Sequence, residues 1–262
     1  MTVSRFTVSA LIVLWCLLAG AQAKAQYRNE MMASPPPSVL SPDPSVWWIG
    51  PQLGLNINAH KGDFVTDVCQ CSFENGSGVG VSAGIEIGHM FSGVFGVALK
   101  ALYSDLSADY SYVIQRDAIL KPTREIVQAD FERQNVVKLG YFMINPVLQL
   151  HPFTGFYVFA GPAIGVRTVG TRTYTLVMVD ERYFFDYEDP ESKVVEDDSG
   201  EIPEAENVRM DFRAGFGVNI RLGRSFLFSP EVSYNFPLSN ISSDNNWKAE
   251  AIHLIGVFKF EL

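Results

Sequence analysis

Positive charge is the first thing this chain is short of: 20 Lys and Arg stand against 29 Asp and Glu, for a formal net charge of -9. Without a basic surplus to neutralise a phosphate backbone, nucleic acid is not an expected partner. Cysteine is scarce as well, and three in 262 residues do not make a disulfide scaffold. At 47% hydrophobic and 13% aromatic the composition also excludes a disordered chain and a collagen-like repeat. No glycine-rich phosphate loop, redox motif or haem site is present, so no cofactor is expected. Charge of either sign is missing from residues 139–166, a stretch long enough for a membrane helix. Pro146, Pro152 and Pro162, with four glycines, interrupt it, and each internal proline costs a helix about 3 kcal/mol. Two strands around a turn at 151–155 fit better.

The amino terminus reads as an export signal. Arg5 precedes an apolar stretch from Val8 to Leu18, and Ala21, Gln22 and Ala23 form a small-residue cleavage pattern. The stretch is too short to span a bilayer as a helix, and Cys16 lies inside it rather than at a lipid-attachment point. Residues 1–25 are therefore expected to be a cleaved signal peptide and 26–44, rich in Pro and Ser, a periplasmic tether. Residues 45–262 are expected to form the folded domain.

Within that domain the dominant pattern has period two, the signature of strands. Trp47, Ile49, Pro51, Leu53, Leu55 and Ile57 alternate with small or polar residues, as do Val79 to Ile87 and Phe95 to Tyr103. The stretches 208–221, 226–236 and 252–262 repeat the pattern. In the fourth candidate strand the apolar set changes parity, from Val137, Leu139, Tyr141 and Met143 to Ile144, Pro146, Leu148 and Leu150. A bulge near Met143 would reconcile the two halves. Connections alternate between a few residues and several times that number, against a usual hairpin loop of about two to five. Such asymmetry distinguishes the two ends of a membrane barrel. The expected fold is all-β: an eight-stranded antiparallel up-and-down transmembrane β-barrel with short periplasmic turns and long extracellular loops.

Alternation alone does not separate this from a soluble barrel, but ring size and charge do. The apolar face carries Trp47, Phe95, Phe212, Phe216, Phe228, Phe236, Phe258 and Phe260, too bulky for an eight-stranded interior. The opposite face is crowded with glycine and holds few charges, unlike a water-exposed surface. Rings toward lipid and a polar lumen satisfy both. That lumen network is expected to comprise Glu86, Lys100, Lys138, Arg167, Arg209, Asp211, Arg213, Arg221 and Glu231, paired because an unpaired buried ion costs several kcal/mol.

The ordered set of the signal peptide, the glycine-spaced second strand, Ile144-Asn145-Pro146-Val147-Leu148, Ala160-Gly161-Pro162, Gly215-Phe216-Gly217 and Glu231 to Tyr234 resembles the outer-membrane β-barrel domain family, an OmpA-like, porin-family grouping. The resemblance implies an eight-stranded barrel in a bacterial outer membrane without assigned chemistry. Two departures are the final Leu262 in place of a terminal aromatic residue and the lack of a following peptidoglycan-binding domain.

Three features of the sequence bear on chemistry. Between Asp180 and Glu206, twelve acidic residues face only Arg182 and Lys193; this reads as a solvated, mobile loop touching lipopolysaccharide through bridging cations, with Glu196, Asp197 and Asp198 as an alternative cation site. Cys69 and Cys71 form either a loop disulfide or two ligands with His60 as a third. His253, Ser233 and Glu231 could share the lumen, but show no hydrolase spacing. The leading expectation is a structural or surface-interaction barrel with a filled lumen and no catalytic centre. It is expected to be a monomer that contacts lipid and lipopolysaccharide and presents its loops to a surface ligand. A small-solute pore and an envelope lipid hydrolase are the alternatives. Tyr110, Tyr112 and Glu125 to Phe131 are further expected to extend strands three and four above the membrane, as Thr171 to Val179 extend the fifth.

Overall fold

A computed structural model describes residues 46–66, 71–184, 193–243 and 246–262. The expected signal peptide and tether, and Cys69, lie outside the described residues. In chain order the strands are β1 (Trp47–Thr66), β2 (Cys71–Met90), β3 (Phe95–Asp105), β4 (Ala108–Leu120), β5 (Ile126–Phe153), β6 (Phe156–Met178), β7 (Tyr183–Phe184), β8 (Val194–Glu201), β9 (Val208–Val218), β10 (Ile220–Arg221), β11 (Phe226–Pro237) and β12 (Lys248–Glu261). Eight of them, β1, β2, β3, β5, β6, β9, β11 and β12, pair antiparallel in a ring that closes where β12 meets β1. Closure leaves no unpaired strand edge at membrane depth, which hydrocarbon requires of every backbone amide.

Side chains alternate across the wall. Outward stand Ile49, Leu53, Leu55 and Ile57 on β1, Val79 to Ile87 on β2, and Phe212 and Phe216 on β9, all exposed. The outward apolar run on β2 covers about the nine to eleven residues a tilted strand needs to cross a bilayer. Rings frame the short-turn end: Trp47 stacks on His89 at 4.4 Å, and Phe226 lies 4.9 Å from Phe260. At the other border Lys61 Nζ pairs with Glu250 Oε2 at 2.7 Å, and the Tyr234 hydroxyl donates to the same oxygen at 2.6 Å. These are the girdles of a membrane barrel.

Pro146 and Pro162 interrupt the β5–β6 ladder, which skips from Ile144↔Ile164 to Leu148↔Ala160. A proline supplies no ladder N–H. Asn145 compensates from inside, its Nδ2 donating to the Pro162 carbonyl at 2.7 Å.

The parity change along β5 has a different cause from the bulge expected near Met143. From Val137 to His151 odd-numbered residues face inward without a break. The irregularity lies across the seam, where Gly140 faces Val169 and Tyr141 faces Arg167, leaving Thr168 of β6 as the extra residue. What changes along β5 is the surrounding medium. Below about Gly140 the outward face meets lipid and is apolar; above it the outward face meets water, so the apolar residues turn to the interior.

Above the border the wall continues. β4 pairs with β5 over Ala108–Ile119, and β8 pairs with the upper part of β6 over Thr171–Val177, so β4, β5, β6 and β8 form a four-stranded sheet outside the membrane. The β1–β2 hairpin projects likewise, with Phe64 opposite Phe73. Much of the expected long loop at 180–206 is therefore strand rather than mobile chain, because β6 supplies an edge to pair with.

The border position has a measurable consequence. Leu53, 64% exposed at the middle of the apolar belt, and Val113, 59% exposed on the outward face of β4, look alike in accessibility but meet different solvents. Leu53→Arg is expected to destabilise the refolded barrel by about 2–4 kcal/mol in vesicle-based denaturant titrations. Val113→Arg should stay within about 0.5 kcal/mol. Equal effects would place the border wrongly.

Candidate functional site

The inward face of the wall is filled in layers. Nearest the short turns, Trp48, Met90, Ala98, Val147, Tyr157 and Phe159 form an apolar cluster. Small inward residues make room for the rings: a Cβ on Gly88 would fall within 2.1 Å of the Trp48 ring, and one on Gly76 within 2.5 Å of Tyr110.

Above the first cluster lies an ionic knot. Glu86 and Lys100 are direct cross-strand partners on β2 and β3, and the Lys100 ammonium reaches Glu86 Oε2 at 2.9 Å and Glu231 Oε2 at 2.5 Å. Trp48 Nε1 donates to Glu86 Oε1 at 2.7 Å, and the Tyr157 hydroxyl to Glu231 Oε1 at 2.7 Å. Lys259 reaches Glu86 Oε1 at 3.6 Å and donates to the Tyr157 hydroxyl at 3.1 Å. Each lysine also lies over a ring, Lys100 at 4.4 Å from Phe159 and Lys259 at 4.3 Å from Tyr157. Charges so enclosed persist because the lysines bridge the carboxylates and aromatic faces take the remaining field.

The middle layer is neutral and polar. Asn56 Nδ2 donates to Ser104 Oγ and to the Asp105 carbonyl, and Ser82 Oγ donates to Asn56 Oδ1 at 2.8 Å. Beside it Arg209 Nε donates to Asp211 Oδ2 at 2.8 Å, with Asn235 Nδ2 on the same oxygen at 3.2 Å.

The upper end is closed by rings. Trp247 Nε1 donates to the Tyr110 hydroxyl at 2.8 Å, Tyr110 lies 2.7 Å from His60 Nδ1, and His60 Nε2 lies 2.7 Å from the Leu106 carbonyl. Since a carbonyl only accepts, the chain runs from Trp247 through Tyr110 to His60 and on to Leu106. Burial pushes the Tyr110 phenol well above its ordinary range, so it stays a donor. Phe64 stacks on Trp247 at 4.4 Å, and Phe131, Leu176 and Met178 pack into the same core.

Of the residues expected in the lumen, Glu86, Lys100, Arg209, Asp211, Arg213 and Glu231 are buried there. Lys138, Arg167 and Arg221 are not. Lys138 falls on the outward parity of β5 above the border. Arg167 sits beside the β6 bulge and donates to Asn207 Oδ1 at 3.0 Å, and Arg221 pairs with Glu261 at the short-turn rim. Lys259 and Trp48 were missed, although Lys259 shares the inward parity of His253 on the last strand.

The alternative chemistries are placed as follows. His253 is fully buried opposite Ser233, with its Nδ1 3.4 Å from Ser82 Oγ, and the wall separates it from lipid. Glu196 and Asp198 face Arg116 and Arg172, whereas Asp197 projects to the opposite face of β8, so the three carboxylates do not converge. Asp180 and Glu181 are held below the usual carboxylate range by hydrogen bonds from Arg182 and Lys193. Cys71 is disulfide-bonded. Outside the wall a groove of about 460 Å³, lined by Ile87, Leu99, Pro146, Leu148 and Pro162 among others, faces the hydrocarbon.

No protein-family model and no curated protein matches the chain. Among solved structures it is similar to Ail, the attachment invasion locus protein of Yersinia pestis, in complex with the heparin analogue sucrose octasulfate, at 11% identity and TM-score 0.35 over 82% of this chain and 99% of that one. It is also similar to Neisserial surface protein A, at 10% identity and TM-score 0.35 over 82% and 97%. The N-terminal β-barrel domain of Pseudomonas aeruginosa OprF gives 10% and 0.26 over 80% and 97%. The closed eight-stranded ring and the apolar outer belt are those of a membrane-spanning β-barrel.

The ionic knot predicts a strong single-site effect. Lys100→Met leaves Glu86 and Glu231 facing each other with one lysine between them, and should cost about 3–5 kcal/mol in denaturant unfolding. Adding Glu231→Gln should recover part of that loss. A double variant no more stable than Lys100→Met would show that the lysine acts by packing alone.

Proposed function

We propose that this protein is a surface-interaction barrel of the outer membrane: a closed, non-conducting, non-catalytic support that displays the β4–β5–β6–β8 sheet to a cationic partner outside the cell. The observation that carries the reading is the sorting of charge across that sheet. Arg116, Arg133 and Arg172 lie on its inner face, where they meet Glu196, Tyr112 and Asp198. Asp109 and Asp117 on β4, Asp130 and Glu132 on β5, and Asp197 and Glu201 on β8 point outward. Thr171 and Thr173 fill the space between them on β6. An outward face on which these six carboxylates stand against the ammonium of Lys138 attracts positive charge at range and disfavours negative charge. A polyanion such as the sugar sulfate in the Yersinia structure has the wrong sign for it.

Two further features support the reading. The apolar caps at both ends of the lumen, with the ionic knot between them, leave solute no evident route, which disfavours the pore. The buried setting of His253 and Ser233 disfavours a lipid hydrolase. Envelope lipid and lipopolysaccharide then serve as surroundings rather than substrate.

The test uses cells displaying the full-length barrel and a fluorescent oligolysine peptide. Binding is expected to fall steeply with salt and to drop several-fold in an Asp109→Asn, Asp130→Asn, Glu132→Gln variant. Unchanged binding in that variant overturns the assignment to the sheet. In planar bilayers, steady conductance steps from the purified protein would overturn the closed lumen.

A further inference from the structure

Charge inside the lumen does not balance. The carboxylates of Glu86, Asp211 and Glu231 are enclosed with Lys100, Arg209, Arg213 and Lys259, four cations against three anions. The partners of six of these are fixed: Glu86 and Glu231 hold the lysines, and Asp211 holds Arg209. Arg213 is the remainder. It is 2% exposed, and among the described residues it makes no hydrogen bond and no ion pair; its Nε and Nη2 are both unmatched. A guanidinium in that state costs several kcal/mol unless something answers it.

The nearby carboxylates are already engaged. Both Glu231 oxygens are taken, by Tyr157 and Lys100, and Asp211 Oδ2 holds Arg209 and Asn235. Only Asp211 Oδ1 is unmatched. A second unmatched guanidinium nitrogen, Arg209 Nη1, belongs to a side chain four residues from Arg213 on the same inward face of β9. His253 Nε2 is an acceptor, because the Ser82 hydroxyl donates to Asn56 and takes its other bond from His253 Nδ1–H. Gly161 stands opposite Arg213 on β6 and Asn235 on β11, so no carboxylate is its direct cross-strand partner, and the two whose charge reaches it, Glu231 on β11 and Asp211 on its own strand, each already hold another cation. A surplus of one positive charge, with two unmatched N–H groups on one buried guanidinium, is the chemistry of an anion site. The size of the surplus selects a monovalent ion.

We propose that the lumen holds one small monovalent anion of halide size on the Arg213 guanidinium. With both ends capped, the ion enters as the barrel folds and stays enclosed. It completes the neutralisation of the lumen and fixes the side-chain layer between the ionic knot and the Arg209–Asp211 pair. This rests on the lumen alone and is independent of what the outer sheet binds.

The test is to refold the full-length barrel in sodium bromide, crystallise it and measure anomalous scattering. A bromide peak within hydrogen-bonding distance of Arg213 Nε or Nη2 is expected, absent from Arg213→Gln, whose folding is checked by its gel mobility before and after boiling. In parallel, Tm is expected to rise on replacing gluconate by bromide at equal ionic strength, and that rise should be lost in Arg213→Gln. A wild-type map with only water at Arg213, or with Asp211 Oδ1 turned onto it, overturns the proposal, as does an equal bromide shift in both proteins. Should Arg213→Gln fail to fold, the wild-type bromide map decides by itself.

Discussion

The long strands β1, β2, β5 and β6 cross from hydrocarbon into water, and the rest of the structure follows from that change of medium. In lipid the outward face must be apolar and all backbone groups must find partners in the wall, which forces closure. In water the same face must be polar, and the apolar residues needed to hold a free-standing sheet together go to the other side. β5 makes both transitions visible in one strand, with Phe142 and Ile144 outward below the border and Phe131, Val137 and Leu139 inward above it. The polar cluster of Lys61, Glu250 and Tyr234 marks the level where the rule inverts.

The interior is then determined by what the outside leaves over. Eight strands enclose an interior just wide enough for the inward side chains to fill. Glycines on one strand admit rings from another, as Gly88 does for Trp48, so bulk and its absence are complementary across the seam. A buried ionic knot contributes less net stability than well-packed apolar residues could. What it adds here is register: Glu86 meets Lys100 only when β2 and β3 are correctly aligned, and Glu231 joins them only when β11 has closed the ring.

How much of this was legible in the sequence depends on how far each signal was local. The membrane-crossing strands were, because outward rings alternate with glycine and small polar residues over Trp47–Ile57, Val79–Ile87 and Val208–Val218. So was the upward continuation of β4, β5 and β6. The inner membership of Lys138, Arg167 and Arg221 was not, since parity shows which side of a strand a residue takes but not the height at which the lumen ends. Lys138 sits above the border, where facing outward suits a charge. The disruption near Met143 looked like a bulge because a change of solvent and a change of register leave the same trace in an alternating sequence. Strand β8 was hidden by its acidity: charge runs repel when unpaired, and only the arginines of β4 and β6, far away in sequence, make Glu196 and Asp198 tolerable in a sheet.

Charge is thus sorted by compartment. The folded wall places a cationic surplus of one inside the membrane-level lumen, arginines on the inner face of the outer sheet, and carboxylates on its outer face. Separation of this kind keeps the two electrostatic problems apart. The lumen must be neutralised locally, since low dielectric makes each unmatched ion expensive, whereas the outer face can remain unneutralised because water and salt screen it beyond about 8–10 Å. A field that survives only over such distances acts on whatever comes close to the sheet.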